Sequence, residues 1–394
     1  MGASLDVAAI QEALREAALD GWLFFDHHHR DPLAYRVLKF SPAQTPTRRW
    51  YYFVPAHGEP TKLVHKIESR MLDALPGRAI AYAGWVEQRE ALRSALGSAR
   101  RVAMQYSPDC AVPYVAMVDA GTVELVRALG CEVASSADLI QRFEAVWSGA
   151  QFEQHIRAGR KVDSIRSAAF DKIADRLRAG SPTNEFAIKQ FILESFQREG
   201  LFTDHGPIVA VNENASDPHY EPTPESSRQI GKGDLVLIDL WAKLREPSAV
   251  YYDITWTGYC GADPPSRMDE IFAVVAGARD RAVERVRRAV AAGETIRGFE
   301  VDDACREHIR AHGLADAFFH RTGHSIGEEV HGTGANMDNL ETHDERQLIR
   351  GTCFSIEPGV YLPEFGIRSE LNVHIGERAM VTGEVQSALL RLLP

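Results

Sequence analysis

Two acidic residues each stand in the middle of an apolar, strand-like segment. Asp239 lies within residues 234–241, and Asp253 lies within residues 251–257. A carboxylate buried alone costs several kcal/mol, so each must be paired, protonated or bound to a cation. The intervening residues 245–248, Arg-Glu-Pro-Ser, favour a turn. We therefore expect the two strands to pair antiparallel and to bring the aspartates together.

The carboxy-terminal part repeats this arrangement with two glutamates. Glu357 lies in the apolar segment 353–361, and Glu370 follows thirteen residues later, with Pro363 and Gly366 marking a turn between them. Four carboxylates on two hairpins would repel one another unless positive charge lay among them. Divalent metals would supply that charge, and hard oxygens with one imidazole suit manganese, cobalt, iron or zinc.

Histidines able to provide that imidazole are concentrated in one short segment. His320, His324 and His331 lie within twelve residues of a chain that has fifteen histidines in all. Gly323 and Gly327 beside them would let the backbone approach a site closely. A single histidine is more often a hydrogen-bonded polar residue than a metal ligand. The segment therefore indicates a metal site only in combination with the four acids.

The elements that would position these residues fall into two groups along the chain. The first group alternates helical and strand-like patterns, which is typical of an α/β domain. A long amphipathic helix, with apolar residues at steps of three and four, begins near Phe152, so a domain boundary is expected near residues 146–151. We predict an amino-terminal domain at residues 1–148 and a second domain at residues 149–394.

Hydrophobic periodicity and turn residues also predict the individual elements. In the first domain we expect a helix from Asp6, strands at 21–25, 51–54 and 101–104, and helices at 86–96 and 114–129. In the second domain we expect helices at 185–198, 269–291 and 302–312, strands at 207–211, 235–241 and 251–258, and a strand-rich tail at 352–374.

The bulk composition excludes several classes of protein. The 394 residues are 45% hydrophobic and 25% charged, as in folded globular proteins. The net charge of -11, from 55 acidic and 44 basic residues, argues against nucleic-acid binding. No secretory signal or membrane-spanning run is present, so we expect a cytoplasmic protein that does not bind membranes. The five scattered cysteines favour neither a disulfide framework nor a structural zinc site.

The acids and the histidine segment together resemble a known family. In order, sequence setting and approximate spacing, the set is similar to the metal ligands of the pita-bread metallopeptidases, which include methionine aminopeptidase, Xaa-Pro aminopeptidase and prolidase. The resemblance covers residues 152–394, and the preceding segment is similar to the creatinase-like domain of the proline-specific members. It implies an α/β amino-terminal domain and an α+β catalytic domain of the pita-bread (creatinase/aminopeptidase) fold. The residues that carry it are Asp239, Asp253, His324, Glu357 and Glu370.

The resemblance also implies a role for each ligand. Asp239 would bind one metal, and His324 and Glu357 would bind the other. Asp253 and Glu370 would bridge the pair. Two divalent ions, with manganese or cobalt favoured and zinc or iron as alternatives, would activate a shared water. Glu357 would act as the general base and pass the proton to the leaving amine.

Four further residues match non-ligand positions of the family. His219 and His331 correspond to two catalytic histidines that would hydrogen-bond the substrate and the oxyanion. His320 resembles a histidine that lines the proline pocket, and Arg368 resembles an arginine close behind the ligands. His320, His331 and Arg368 are therefore the expected substrate-binding residues.

Two features depart from the family pattern. The interval from Asp239 to Asp253 is longer than is most common, which fits an inserted loop. The usual Asp-Ile-Thr-Arg-Thr has Trp256 in place of its arginine. Any role of that arginine is therefore absent or supplied elsewhere.

The resemblance implies hydrolysis of the Xaa-Pro bond in dipeptides or short peptides, with an Xaa-Pro dipeptidase favoured and a homodimer expected. The alternatives are an Xaa-Pro aminopeptidase acting on longer peptides, a metal-free C–N hydrolase resembling creatinase, and a non-catalytic binding module. Retention of all five ligands argues against the last two. The run His27-His28-His29 and the loop containing His343 and Arg346 are expected to be surface loops.

Overall fold

A computed structural model of the chain describes residues 5–41 and 45–393. The chain divides into two compact units, Met1–Glu144 and Ala145–Pro394. The boundary expected from the sequence, after residue 148, falls just before the long helix that begins at Gly149. Within the described residues, no helix is both long enough and apolar enough to cross a membrane.

The amino-terminal unit is built around one six-stranded sheet. The strand order is β4-β3-β2-β1-β5-β6, and only β2 runs antiparallel to its neighbours. The strands are β1 (Gly21–Asp26), β2 (Trp50–Pro55), β3 (Thr61–His65), β4 (Arg78–Tyr82), β5 (Arg101–Met104) and β6 (Glu132–Ser135). The helices are α1 (Val7–Glu16), α2 (Pro32–Val37), α3 (Trp85–Leu96), α4 (Ala120–Ala128) and α5 (Ala137–Ile140).

Side chains that alternate along the buried strand β1 supply the cores on both faces of this sheet. Trp22 and Phe24 pack in one cluster with α1 and α2, whereas Leu23 and Phe25 pack in the other with α3 and α4. The helix predicted at 114–129 is wrong in its first part. It begins at Ala120, because the side chain of Asp119 caps it by accepting a hydrogen bond from the Thr122 amide.

The carboxy-terminal unit combines four long helices with short sheets. The helices are α6 (Gly149–Arg178), α7 (Glu185–Arg198), α8 (Ser266–Ala292) and α9 (Gly298–Ala311). The first strands are β7 (Leu201–Phe202), β8 (Ile208–Val211), β9 (Leu235–Leu244) and β10 (Tyr252–Tyr259). The later strands are β11 (Ser325–Ile326), β12 (Cys353–Ile356), β13 (Gly359–Tyr361), β14 (Gly366–Arg368), β15 (Leu371–Ile375), β16 (Ala379–Thr382) and β17 (Leu390–Arg391).

Three strand arrangements position the candidate site. Strands β9 and β10 form the predicted antiparallel hairpin within a sheet ordered β17-β10-β9-β7, with β8 also paired to β9. A second sheet has the order β11-β12-β15-β16, and β13 pairs with β14. Helices α6 and α7 cover the β9–β10 hairpin, whereas α8 and α9 pack on the carboxy-terminal strands.

Strand β10 separates its two faces sharply. Ile254 and Trp256 belong to the core that contains α6, whereas Asp253 and Thr255 point to the opposite face. Close packing of α6 on β10 depends on Gly159, because a Cβ there would lie 2.7 Å from the ring of Tyr252.

Replacing Gly159 with alanine tests this contact. We expect overpacking to lower the free energy of unfolding by about 1–3 kcal/mol, although alanine intrinsically favours a helix over glycine by about 1 kcal/mol. Gly149→Ala in the same helix is the matched control, because no atom of residues 5–41 or 45–393 outside its immediate neighbours lies within 4 Å of its added Cβ. Chemical denaturation followed by circular dichroism measures both variants, and equal effects would contradict the close contact.

Candidate metal centre

The four acids and His324 form one buried cluster. The Nε2 atom of His324 lies 3.3 Å from Glu357 Oε1 and 3.5 Å from Asp253 Oδ2. Potential ligand atoms of Asp253, His324 and Glu370 all lie within 4.8 Å of one another. Asp239 reaches the cluster through Arg368, whose guanidinium bonds Asp239 and lies 3.9 Å from Glu357 Oε2.

The β9–β10 register brings the two aspartates to the same face. Asp239 is opposite Thr255, and Asp253 is opposite Trp241. The Thr255 hydroxyl donates a 2.7 Å hydrogen bond to Glu370 Oε2, and the Glu370 amide donates to the Thr255 carbonyl at 3.1 Å. Thr255 therefore joins the strand that carries Asp253 to the strand that follows Glu370.

The paired strands β12 and β15 place the two glutamates side by side. Ile356 is opposite Leu371, so Glu357 and Glu370 lie at adjoining strand ends. The Glu357 amide donates to the Thr322 carbonyl at 2.7 Å. That bond fixes Glu357 next to the histidine segment, two residues before His324.

The hydrogen bonds of His324 fix its tautomer and orientation. Its Nδ1 lies 3.1 Å from the Ser325 carbonyl, which can only accept, so Nδ1 carries the proton and Nε2 offers a lone pair to the cluster. The His324 amide donates to Ser355 Oγ at 2.9 Å, and that hydroxyl donates to Glu357 Oε1 at 3.1 Å. The backbone approaches closely here, because a Cβ on Gly323 would lie 2.0 Å from the Ser355 carbonyl oxygen.

Arg368 is the permanent cation of the cluster. Its side chain is 3% exposed and donates to Asp239 Oδ2 and, at 3.1 Å each, to Thr255 Oγ1 and the Tyr361 hydroxyl. The resemblance implied only that Arg368 lies close behind the ligands. The structure pairs Arg368 with Asp239, because both side chains point into the space between the two hairpins.

A directed chain of hydrogen bonds continues from Arg368 to His320. The Tyr361 hydroxyl accepts from Arg368, so its proton is donated to His320 Nε2 at 2.7 Å. The Nδ1 atom of His320 then donates to the Arg321 carbonyl at 2.7 Å. Burial lowers the pKa of His320 to about 4, in keeping with a neutral ring.

Burial and mutual repulsion shift the pKa values of three carboxyl groups upward. Burial, followed by the charge of neighbouring carboxylates, raises the pKa of Asp253 and Glu370 well above their usual range. Burial also raises the pKa of Asp239 to about 7, although Arg368 opposes the shift. The positive charge of the protein alone is therefore too small to balance these carboxylates.

Glu357 behaves differently from the other acids. Burial favours its neutral form, but positive charge on His324, His320 and Arg368 outweighs burial and lowers its pKa. Arg368 and Arg321 are the permanent contributors, because burial lowers the pKa of both histidines. Glu357 is therefore the acid of the cluster that is most readily ionised.

Unpartnered oxygen atoms show that the cluster fits divalent cations. Asp239 Oδ1, Asp253 Oδ1 and Glu370 Oε1 are buried and have no hydrogen-bond partner among the residues that the structure describes. Buried polar atoms almost always have a hydrogen-bond partner, so three buried oxygen atoms without one at the same place require an explanation. Several carboxylate oxygens with one imidazole form the donor set preferred by manganese, cobalt, iron or zinc. The residues present therefore fit a metal centre.

The three other candidate histidines differ in their distance from the cluster. The ring of His331 lies edge-on to His324, with centroids 4.4 Å apart. Positive charge at His324, and then burial, lowers the pKa of His331 to about 3. His320 contacts the cluster through Tyr361. His219 lies in an exposed turn, and within the described residues its ring makes no hydrogen bond, ion pair or ring contact.

The departures from the family pattern have structural explanations. Trp256 points away from the cluster towards α6, where the guanidinium of Arg166 lies 3.6 Å from the centre of its ring. The family's arginine position therefore does not face the acids in this chain. The expectation of a solvated loop is wrong for Arg346, which is buried and pairs with Asp344 at 2.7 Å. His343 is exposed, as expected.

Sequence reasoning missed several residues that support the cluster. Thr255 could have been found, because it alternates with Asp253 on the same face of β10. Tyr361 gave no sequence signal, since its contact with His320 spans 41 residues. Asp302, which is fully buried, accepts from the Thr322 amide at 3.0 Å and from its hydroxyl at 2.6 Å, and so anchors the segment that leads to His324.

Thr255→Val should loosen the centre without unfolding the protein. Valine keeps the shape but cannot bond Arg368 and Glu370, so affinity for divalent metal should fall by about 10- to 100-fold. Thr255→Ser retains the hydroxyl and should restore most of the affinity. Calorimetric titration of metal-free protein measures both variants, and unchanged affinity in the valine variant would contradict the role of this hydroxyl.

Comparison with known proteins agrees with this geometry. The curated Xaa-Pro dipeptidase of Pyrococcus furiosus is 30% identical over 242 residues, which span 61% of this chain and 63% of that enzyme. The probable dipeptidase PepE of Mycobacterium tuberculosis is 27% identical over 350 residues, which span 87% of this chain and 85% of that protein.

Solved structures share the whole fold. The dipeptidase PepE of Mycobacterium ulcerans superimposes with a TM-score of 0.71 at 25% identity, covering 98% of this chain and 97% of that chain. At 22% identity, the prolidase of Pyrococcus horikoshii has a TM-score of 0.62 and covers 96% of this chain and 98% of its own.

The predicted family and fold class, an α/β amino-terminal domain followed by a pita-bread domain, are confirmed. The model of metallopeptidase family M24 matches residues 157–377, which is more than half of the 394 residues. A buried set of acids with one histidine, in a chain matched over that length, shows that this protein belongs to metallopeptidase family M24.

Proposed function

We propose that this protein is a metal-dependent dipeptidase that hydrolyses the Xaa-Pro bond. The observation that carries the proposal is the cluster of buried carboxylates in which three oxygen atoms have no hydrogen-bond partner in the described part of the chain. The names of the relatives support the substrate class, because the similar Pyrococcus furiosus enzyme is an Xaa-Pro dipeptidase and the similar Mycobacterium proteins are described as dipeptidases.

We assign the metal ligands as the family resemblance implies. Asp239 would hold one cation, His324 and Glu357 the other, and Asp253 and Glu370 would be shared. The short separations around His324 Nε2 support this assignment. When bound, divalent cations act as Lewis acids and lower the pKa of a nearby water. Manganese or cobalt is the proposed metal, with zinc or iron as alternatives.

Glu357 is the proposed general base. Its pKa is lowered, so it is ionised at neutral pH and can accept a proton from the attacking water. Its side chain is also 15% exposed, compared with 7% for Asp253 and 5% for His324, so it is accessible from solvent. The same carboxyl group would then deliver the proton to the leaving proline nitrogen.

His331 and His219 are the proposed hydrogen-bond donors to the substrate. His331 stays neutral because its pKa is low, and it can present an N–H to the scissile carbonyl or to the oxyanion. His219 follows a 3-10 turn at Asn212–Ser216 that is tied to the β13–β14 hairpin, since Ser216 Oγ donates to the Leu362 carbonyl. His219 would donate to the bound substrate from this exposed turn.

Aromatic rings beside His320 offer a surface for the proline ring. Phe318 and Tyr361 lie with ring centroids 5.0 Å and 5.4 Å from that of His320. Phe319 is 51% exposed and lies 5.1 Å from Tyr361. An Xaa-Pro bond has no N–H to donate, so selection by ring shape at such a surface is physically reasonable. Arg368 would hold Tyr361 in place from behind.

An Xaa-Pro aminopeptidase that accepts longer peptides is the second candidate. The putative Xaa-Pro aminopeptidase of Mycoplasma pneumoniae is 30% identical over 184 residues, 46% of this chain, which favours keeping this alternative. Cytoplasmic location and a homodimer also stay predictions of the proposal. A creatinase-like hydrolase is less well supported, because the complete set of acids is retained.

Metal dependence and substrate length can be tested in one assay. Chelator treatment should abolish hydrolysis of Ala-Pro, and added manganese or cobalt should restore it, because the acids alone cannot activate water. Ala-Pro should be cleaved with a higher kcat/KM than Ala-Pro-Ala if the protein is a dipeptidase. Full activity after complete metal removal, verified by elemental analysis, would contradict the proposal.

Replacing Glu357 with glutamine tests the general base. Glutamine is nearly isosteric but cannot accept the proton, so kcat should fall by about 100- to 10,000-fold. Glu364→Gln, at an exposed position in the turn between β13 and β14, is the matched control and should retain activity. Metal content should be measured in parallel, and a metal-loaded Glu357→Gln enzyme with normal kcat would exclude this role.

A further inference from the structure

A cavity of about 700 Å³ lies in the amino-terminal unit. Its wall is formed by the carboxyl ends of β1, β3 and β4 and by the first turns of α3 and α4. A volume of this size is typical of pockets for small molecules. No residue of the candidate metal centre belongs to this unit.

The topology of the sheet explains why a cavity forms here. Strand β2 is antiparallel to both β1 and β3, and β3 is parallel to β4, so β1, β3 and β4 point the same way. In open α/β sheets, ligands bind outside the carboxyl ends of such strands. The cavity occupies that position.

The lining of the cavity carries an excess of positive charge. Arg30, Arg48 and Arg49 line it together with His27, whereas Asp119 is the single carboxylate among the lining residues. Both oxygens of Asp119 are already used, since they accept from the amide and the hydroxyl of Thr122 at 2.9 and 2.8 Å. Asp119 keeps its negative charge, but one carboxylate cannot balance three guanidinium groups.

Two of these arginines lack partners within the described residues. The guanidinium of Arg48 donates to the Thr47 carbonyl at 3.1 Å and benefits from the nearby charge of Glu68. The side chains of Arg30 and Arg49 make no hydrogen bond or ion pair with any described residue. Both are exposed to solvent at the cavity.

The same uncompensated charge affects His27. Burial is the largest cause of its lowered pKa, and the positive charges of His28, Arg30 and Arg49 add to the shift. Cations that outnumber the carboxylates at a cavity form a site for an anion for the same reason that clustered carboxylates form a site for a metal.

A large apolar ring lies beside these cations. Trp85, the first residue of α3, lines the cavity and is 74% exposed. Exposed aromatic rings of this kind can stack on the flat ring of a ligand. Tyr82 contributes its ring to the wall, while its hydroxyl donates to the Arg49 carbonyl at 2.5 Å and holds that backbone in place.

We propose that this cavity binds a small phosphorylated ligand with a flat ring, such as a nucleoside monophosphate. The phosphate would bind the guanidinium groups of Arg30 and Arg49, and the ring would stack on Trp85. A phosphate monoester carries a charge of about −1.5 to −2 at pH 7, which matches two unpaired guanidinium groups better than one carboxylate does. Planar guanidinium groups also bind phosphate in a bidentate manner.

Calorimetric titration of the full chain with four probes tests the proposal. The probes are adenosine monophosphate, inorganic phosphate, adenosine and citrate. Adenosine monophosphate should bind most tightly, inorganic phosphate more weakly, and adenosine not measurably. Chelated, metal-free protein should be used, so that binding at the metal centre does not contribute. Failure of adenosine monophosphate to bind at millimolar concentration, or tighter binding of citrate, would overturn the proposal.

Two variants locate the binding. The double variant Arg30→Gln/Arg49→Gln should weaken binding of adenosine monophosphate by about 10- to 100-fold. Arg70→Gln/Arg93→Gln makes the same charge change at exposed positions outside the cavity and is the matched control. An equal loss of affinity in both double variants would show that only the net charge of the protein matters, and it would reject the proposed site.

Trp85→Ala tests the ring separately. It should bring the affinity for adenosine monophosphate down to that for inorganic phosphate, and unchanged affinity would reject the stacking part of the proposal. Peptidase activity does not enter these measurements, so the hydrolase proposal and the anion site can fail independently.

Discussion

Repulsion between buried carboxylates is the constraint on which the catalytic unit depends. Asp239, Asp253, Glu357 and Glu370 approach one another from two hairpins, and Arg368 is a permanent cation that bonds Asp239 and lies close to Glu357. A single guanidinium cannot balance four carboxylates, and three of the acids respond with raised pKa values. Divalent cations would remove this imbalance, so the same residues that make the unit costly to fold without metal make it a strong ligand set with metal.

The surrounding fold serves to hold these groups close in spite of their repulsion. Thr255 links the two strand systems, Ser355 joins His324 to Glu357, and the cores on α6 and α8 fix the hairpins from outside. Neutral histidines complete the arrangement. His320 accepts a hydrogen bond from the Tyr361 hydroxyl, and the ring of His331 lies against that of His324. These contacts give each polar group a defined direction, which a hydrolytic site requires before any substrate arrives.

Much of this organisation was accessible from the sequence, for identifiable reasons. A charged residue inside an apolar strand is conspicuous, so Asp239 and Asp253 were evident, and their hairpin followed from the turn between them. Strand alternation could also have shown that Thr255 shares the face of Asp253 and that Trp256 lies on the opposite face, as the structure has them. The partner of Arg368 and the burial of Arg346 were not accessible, because both depend on contacts made in three dimensions. The helix predicted from residue 114 begins only at Ala120, because the side chain of Asp119 caps it there.

If the five side chains hold a pair of divalent cations, protein that is loaded with manganese and then dialysed should retain them. Elemental analysis measures the metal content, and anomalous scattering from crystals locates the ions. Two ions per chain, both within reach of Asp253 and Glu370, are the expected result. Protein that retains no ion at this cluster, or that retains the same ions after Asp253→Asn/Glu370→Gln substitution, would contradict the claim.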